Sequence, residues 1–124
     1  MLQLLLVEDN QHFREVLKEE LKEWFPSITV EEASNVKEAL EKTDSFCPQV
    51  IFMDIRLPDG SGLKLTREIK AKCPRAVVAI LTSHDLPEYR QAAIEYGASR
   101  YFVKAASRGT EIRSFVESLL PAAK

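Results

Sequence analysis

Val50-Ile51-Phe52-Met53-Asp54-Ile55-Arg56-Leu57-Pro58-Asp59-Gly60-Ser61-Gly62 holds the architecture in miniature. Four successive apolar residues, Val50 to Met53, read as a strand covered on both faces, because a strand with one wet face alternates apolar with polar. The strand ends on a carboxylate, Asp54. Pro58-Asp59-Gly60 then reads as a turn: proline presets its own φ, aspartate bonds nearby backbone, and glycine tolerates conformations that other residues resist. Ser61 is a helix N-cap residue, and the helix it opens runs to about Ala71. A buried strand thus delivers a charged group to the edge of a sheet and returns through a helix.

The same alternation continues outward in both directions. Leu2 to Val7 reads as a first strand. Asn10 to Phe25 reads as a helix with Phe13, Val16, Leu17, Leu21 and Trp24 on one face at the helical period, and His12 toward solvent. Ile28 to Ala33 is a second strand, and Asn35 with Glu38 three residues on makes a capping-box-like start for the next helix. Beyond the central stretch, Ala76 to Leu81 is a fourth strand. Asp85 precedes Leu86-Pro87, a helix opening with proline in the first turn; this helix runs to Tyr96 and stops at Gly97. Arg100 to Val103 is a short fifth strand, and a last helix carries Ile112, Phe115, Val116, Leu119 and Leu120 inward. Strands alternating with helices predict βαβ units and a parallel sheet. Glu31 and Glu32 in the second strand, and the brevity of the fifth, place those two at the edges. The expected fold is therefore α/β: one doubly wound (βα)5 domain with a parallel five-stranded sheet in the flavodoxin-like order 2-1-3-4-5. The domain is expected over residues 1–120, with 121–124 a C-terminal tail or the start of a linker.

Composition agrees with one soluble domain: 124 residues, 45% hydrophobic, 29% charged, formal net charge −2. No apolar run approaches the roughly 20 residues that span a bilayer, and the N-terminus lacks the features of a signal peptide. Direct nucleic-acid binding is not expected of a slightly acidic chain without a cationic face. Cys47 and Cys73 each precede a proline. They permit one disulfide and offer no metal-ligand spacing. The preferred reading is two small half-buried residues closing helices, as suits a reducing cytoplasm; a redox role is the alternative.

Open parallel sheets bind ligands beyond the carboxyl ends of their strands. The residues just past those ends are Glu8 and Asp9, Asp54, Thr82 with Ser83, and Lys104. Three carboxylates on one edge repel one another unless a cation joins them, and hard oxygen donors suit Mg²⁺. A carboxylate can attack phosphorus to give an aspartyl phosphate. Mg²⁺ on Glu8, Asp9 and Asp54 would bridge to such a group, Lys104 would neutralise another oxygen, and Thr82 would donate to a third.

Val7-Glu8-Asp9, Met53-Asp54 with Leu57-Pro58-Asp59-Gly60-Ser61-Gly62, Leu81-Thr82-Ser83, and Gly97-Ala98 followed by Tyr101 and Lys104 resemble, over essentially the whole chain, a response-regulator receiver domain of two-component signalling. The resemblance implies that Asp54 accepts a phosphoryl group from a sensor histidine kinase, a phosphotransfer protein or a small acyl phosphate. The domain would catalyse that transfer and its later hydrolysis without being a conventional turnover enzyme. It also implies the backbone carbonyl of Arg56 as a further Mg²⁺ ligand. Thr82 and Tyr101 would be the switch pair, reshaping the face of the fourth helix, fifth strand and fifth helix. Arg56 and His84 would tune phosphate lifetime. The Leu-Pro-Asp-Gly wording resembles receivers joined to helix-turn-helix DNA-binding output domains, although these 124 residues include no such domain. Many relatives dimerise on activation, so a homodimer is a further expectation, as are a cytoplasmic location and a place in transcription regulation.

One departure is Lys104-Ala105, where the family usually has proline after the lysine. A cis bond before alanine costs about 2.5–4 kcal/mol, so a trans bond is expected. Arg56 either pairs with Glu8 at rest or covers the phosphoryl group, or is a plain loop residue; His84 either orients water or is a solvated loop residue. Two other classes compete. A phosphorylation-independent interaction module would need none of the five key side chains. A flavin binder would want a Ser/Thr/Gly-rich loop after the first strand, and a phosphohydrolase a second aspartate where Arg56 stands.

Overall fold

A computed structural model of the chain describes residues 2–104 and 109–120. The elements run β1 (Gln3–Val7), α1 (Gln11–Trp24), β2 (Thr29–Ala33), α2 (Val36–Ser45), β3 (Val50–Met53), β4 (Arg56–Leu57), β5 (Gly60–Ser61), α3 (Gly62–Lys72), β6 (Val77–Thr82), α4 (Pro87–Glu95), β7 (Arg100–Val103) and α5 (Gly109–Leu119). The main sheet has the order β2-β1-β3-β6-β7, with every neighbouring pair parallel. Once the small β4–β5 ribbon is set aside, this is the expected 2-1-3-4-5 order of a flavodoxin-like α/β domain, with the acid-bearing second strand and the short last strand at the edges.

Alternation along buried strands sends successive side chains to opposite faces, and each face meets its own helices. Leu4, Leu6, Val50, Phe52, Ala79, Leu81 and Phe102 pack against Leu17 and Leu21 of α1 and Ile112, Phe115 and Val116 of α5. Leu5, Val7, Ile51, Met53, Val78 and Ile80 pack against Ala39 of α2, Leu63, Leu65 and Ile69 of α3, and Ala93 of α4. Phe52 lies with its ring 6.0 Å from Phe115 and 6.5 Å from Phe102, a tilted aromatic group at the centre of the first layer.

The helix starts follow their sequence signals. Asn10 accepts from the Phe13 amide, Asn35 from the Glu38 amide, and Ser61 from Leu63 and Lys64. Glu38 returns to the Ser34 amide at 2.7 Å, one residue before the cap, so the capping box is present in shifted form. Gly97 ends α4 with φ +104°, a conformation that a side chain would strain. His12 is exposed, as expected.

The Pro58-Asp59-Gly60 turn is present and closes an antiparallel ribbon, β4–β5, whose two-residue strands are too short to show a period. The α4 opening is as read, with Leu86 at the N-cap and Pro87 in the first turn, and Asp85 just before it pairs with Arg90 Nε at 2.6 Å. Two readings need correction. Val16 is 42% exposed, because the inward direction of α1 is set by Leu17 and Leu21 and Val16 falls at its margin. Cys47 and Cys73 are not separate thiols but a disulfide, since the loop before β3 and the turn before β6 end side by side at the amino edge of the sheet. The Lys104–Ala105 bond and residues 121–124 lie outside the described residues. Among those described, no helix is long and apolar enough to cross a membrane.

Candidate functional site: an acidic pocket at the carboxyl edge

Strand register brings the site together. Val7 pairs with Met53, so Glu8 and Asp54, the next residues of two central strands, emerge side by side, and the Asp54 amide donates to the Val7 carbonyl at 3.1 Å. Thr82 pairs with Val103, and the Lys104 amide donates to the Thr82 carbonyl at 2.7 Å, which carries the Lys104 chain to the same edge.

Glu8, Asp9 and Asp54 each offer a carboxylate oxygen within 4.8 Å of the others. Glu8 is 2% exposed, Asp54 is 7% exposed, and Asp9 is open to solvent. Glu8 Oε1 pairs with Lys104 Nζ at 2.7 Å, and its Oε2 accepts the Asn10 amide at 3.0 Å. Burial pushes the Glu8 carboxyl above the usual carboxylate range; the Lys104 and Asn10 hydrogen bonds pull against this, and the Asp54 charge adds to it. Asp54 Oδ1 accepts the Ile55 amide at 2.8 Å, and Oδ2 lies 3.5 Å from Lys104 Nζ. Lys104 therefore contacts two acids while its ammonium sits 4.4 Å from the centre of the Phe13 ring.

The ribbon after Asp54 is fixed from two sides. A Cβ at Gly62 would fall 1.8 Å from the Asp54 carbonyl oxygen, so only glycine permits this approach of α3 to the end of β3. Asp59, at the ribbon tip, accepts the Val36 amide at 2.7 Å and the Lys37 amide at 3.1 Å. It caps α2 from another element, and those amides hold its carboxyl below the usual range. Sequence reasoning missed this role; its only signal was an aspartate in a turn.

Thr82 is fully buried, and its Oγ1 accepts the His84 amide at 3.3 Å. Tyr101, half-buried on β7, donates to the His84 carbonyl at 2.6 Å and lies under the Arg90 guanidinium, 4.6 Å from its ring centre. Burial raises the Tyr101 phenol above its ordinary value, partly opposed by Arg90. Thr82, His84 and Tyr101 are thus tied through one loop. Arg56 does not pair with Glu8, which Lys104 already holds; it is exposed and donates to the Tyr89 hydroxyl at 3.2 Å. The Tyr89 ring in turn meets His84 edge-on at 6.3 Å.

A parallel α/β sheet with three gathered carboxylates, a buried hydroxyl and an ammonium at its carboxyl edge defines a class of domain suited to a divalent cation and a phosphoryl group. This chain belongs to the response regulator receiver domain family, whose model matches residues 4–116, and it is a receiver domain of two-component response regulators. It is 36% identical over 104 residues to the DNA-binding transcriptional activator DevR/DosR of Mycobacterium tuberculosis, covering 84% of this chain and 48% of that protein. It is 35% identical over 102 residues to chemotaxis protein CheY of Halobacterium salinarum, covering 82% and 83%. The chain thus spans about half the length of DevR/DosR and of the regulator DegU of Brevibacillus brevis, and most of CheY. The solved response regulator TrrA of Thermotoga maritima, in complex with Mg²⁺ and BeF, superposes with TM-score 0.82 at 34% identity over 97% of this chain and all (100%) of that one. A signal receiver domain from Colwellia psychrerythraea 34H, at TM-score 0.90 and 21% identity, shares the fold.

Proposed function

We propose that this domain accepts a phosphoryl group on Asp54 in a Mg²⁺-dependent reaction, from a sensor histidine kinase or phosphotransfer protein in the cytoplasm, and signals by reshaping its α4–β7–α5 face. The reading is carried by the gathering of Glu8, Asp9 and Asp54 within 4.8 Å, with Lys104 Nζ against two of them. Their donor set fits the ion: hard carboxylate oxygens, one buried acid destabilised in its charged form, and one solvent-facing acid that leaves room for water. Glu8, Asp9, Asp54 and the Arg56 backbone carbonyl would hold Mg²⁺, which when bound neutralises the acids and the oxygens of the incoming group.

The remaining work falls to the chain. An Asp54 carboxylate oxygen forms the bond to phosphorus as the donor's bond to it breaks. Ile55 N–H already holds Oδ1 and fixes the carboxylate plane, so Oδ2 is the oxygen turned toward Lys104. Lys104 would exchange part of its contact with Glu8 for a phosphoryl oxygen. The Thr82 hydroxyl, an acceptor from His84, keeps its own proton to donate. Its movement would pull the loop whose His84 carbonyl holds Tyr101, which is how the phosphate would reach β7 and the neighbouring α4 and α5. Dimerisation on activation and control of a DNA-binding output domain follow from the same reading, supported by the kinship with DevR/DosR.

Acetyl phosphate with Mg²⁺ should label the wild-type protein at one position, and Asp54→Asn should abolish the label. Persistent labelling of the variant would move the acceptor elsewhere.

A further inference from the structure

The amino edge of the sheet, opposite the acidic pocket, carries a second chemical site. Cys47 lies in the loop between α2 and β3, and Cys73 is the C-cap of α3 just before β6. Their disulfide joins positions 26 apart and closes a loop that contains β3, Asp54, the β4–β5 ribbon and all of α3. The two cysteines differ in access: Cys47 is exposed, whereas Cys73 is 2% exposed. A cleft of about 360 Å³ opens beside them, lined by Cys47, Pro48, Gln49, Cys73, Pro74 and Arg75. The more open approach for an incoming thiolate is therefore at Cys47.

We propose that the Cys47–Cys73 disulfide is a thiol-exchange site for a dithiol reductant, through which redox conditions set the stability of the unit bearing Asp54 without changing the chemistry at Asp54. The inference goes beyond the phosphoryl-transfer reading and does not depend on it. One thiolate of the reductant attacks Cys47 Sγ; the Cys47–Cys73 bond breaks, and its electron pair leaves on Cys73 Sγ, which takes a proton. The second thiol of the reductant then attacks its own sulfur in the mixed disulfide, forms the reductant's disulfide and releases Cys47 as a thiol. Two electrons and two protons pass from the dithiol to the cysteine pair. The reduced protein keeps a noncovalent link across the same gap, because Lys72 Nζ on α3 bonds Asp44 Oδ1 at 2.6 Å and the Leu40 carbonyl at 3.3 Å on α2. A disulfide inside a reducing compartment is usually transient or regulatory, and one with an exposed cysteine suits that use.

The test uses the full chain purified in air, with dithiothreitol as the reductant. Ellman's reagent should find no thiol in the native protein and two after reduction. Reduction should lower Tm by about 10 °C, the shift expected for opening a loop of this size. The rate of Mg²⁺-dependent labelling by acetyl phosphate at 25 °C should not change. Cys47→Ser, which alters the exposed partner, should melt with the reduced wild type and ignore dithiothreitol. Two titratable thiols in the air-purified native protein, a bond that opens only on unfolding, an unchanged Tm, or a labelling rate altered by reduction would each overturn the proposal. Absence of labelling in both redox states would instead strike the Asp54 reading, while thiol counts and melting still judge this one.

Discussion

Lys104 Nζ sits 2.7 Å from Glu8 and 3.5 Å from Asp54, so at rest its charge is committed mainly to the buried glutamate. That asymmetry makes Lys104 a counter-charge that can be redirected. Arg56 is committed elsewhere, to the Tyr89 hydroxyl, and so ties the loop after Asp54 to α4. Replacing Arg56 with alanine should open a path for water and speed loss of the aspartyl phosphate about threefold, the rate equivalent of one exposed hydrogen bond, while labelling persists. Decay followed after removal of acetyl phosphate checks this; an unchanged rate counts against a tuning role. Glu8, Asp9, Asp54, Thr82 and Lys104 were legible in the sequence because each follows or ends a strand whose limits the apolar runs set. The partner of Arg56 and the capping by Asp59 were not. Those bonds join residues 33 and 22–23 positions apart, and nothing local to either residue marks its partner.

Elements join through a few polar ties outside the core. Glu32 on β2 accepts Arg14 Nε at 2.9 Å and Lys18 Nζ at 2.7 Å from α1, which holds an edge strand against its helix. The Lys18 and Arg14 bonds keep its carboxyl below the ordinary value near 4.5, against a smaller opposing effect of burial. An acid lowered in the folded state contributes stability above its unfolded pKa and loses it as pH falls through the folded one. Glu32→Gln should therefore cost about 0.5 kcal/mol at pH 7, a small figure because the group is partly solvated, and the difference should fade in acid below the lowered pKa. Urea midpoints at both pH values test this; equal midpoints at pH 7, or a gap that persists in acid, would refute it. Helix starts at Asn10, Asn35 and Ser61 were readable because caps are local chemistry. The ribbon β4–β5 was not, since a pairing of two residues leaves no alternation to read.

Across the whole molecule, the apolar pattern separated edge strands from central ones, and the flavodoxin-like topology supplied the rest of the order. The disulfide escaped that logic: it depends on two loops meeting at the amino edge, a tertiary fact. The two edges of the sheet consequently do different things, one gathering acids and the other joining thiols. The acid edge should make the fold metal-sensitive. At free Mg²⁺ 100-fold above its dissociation constant, binding should add about 2.7 kcal/mol and raise Tm by roughly 10 °C. Chelation should remove the gain, and Asp9→Ala, a change at an exposed position, should remove most of it. A melting curve indifferent to Mg²⁺ would contradict a cation site here.

The most direct measurement is a crystal structure of the protein with Mg²⁺ and beryllofluoride. A single ion in contact with the acidic trio, beryllium bonded to an Asp54 carboxylate oxygen, and Lys104 turned from Glu8 toward a fluoride are predicted. An ion bound elsewhere, or Asp54 left bare while the adduct forms at another residue, would contradict the account.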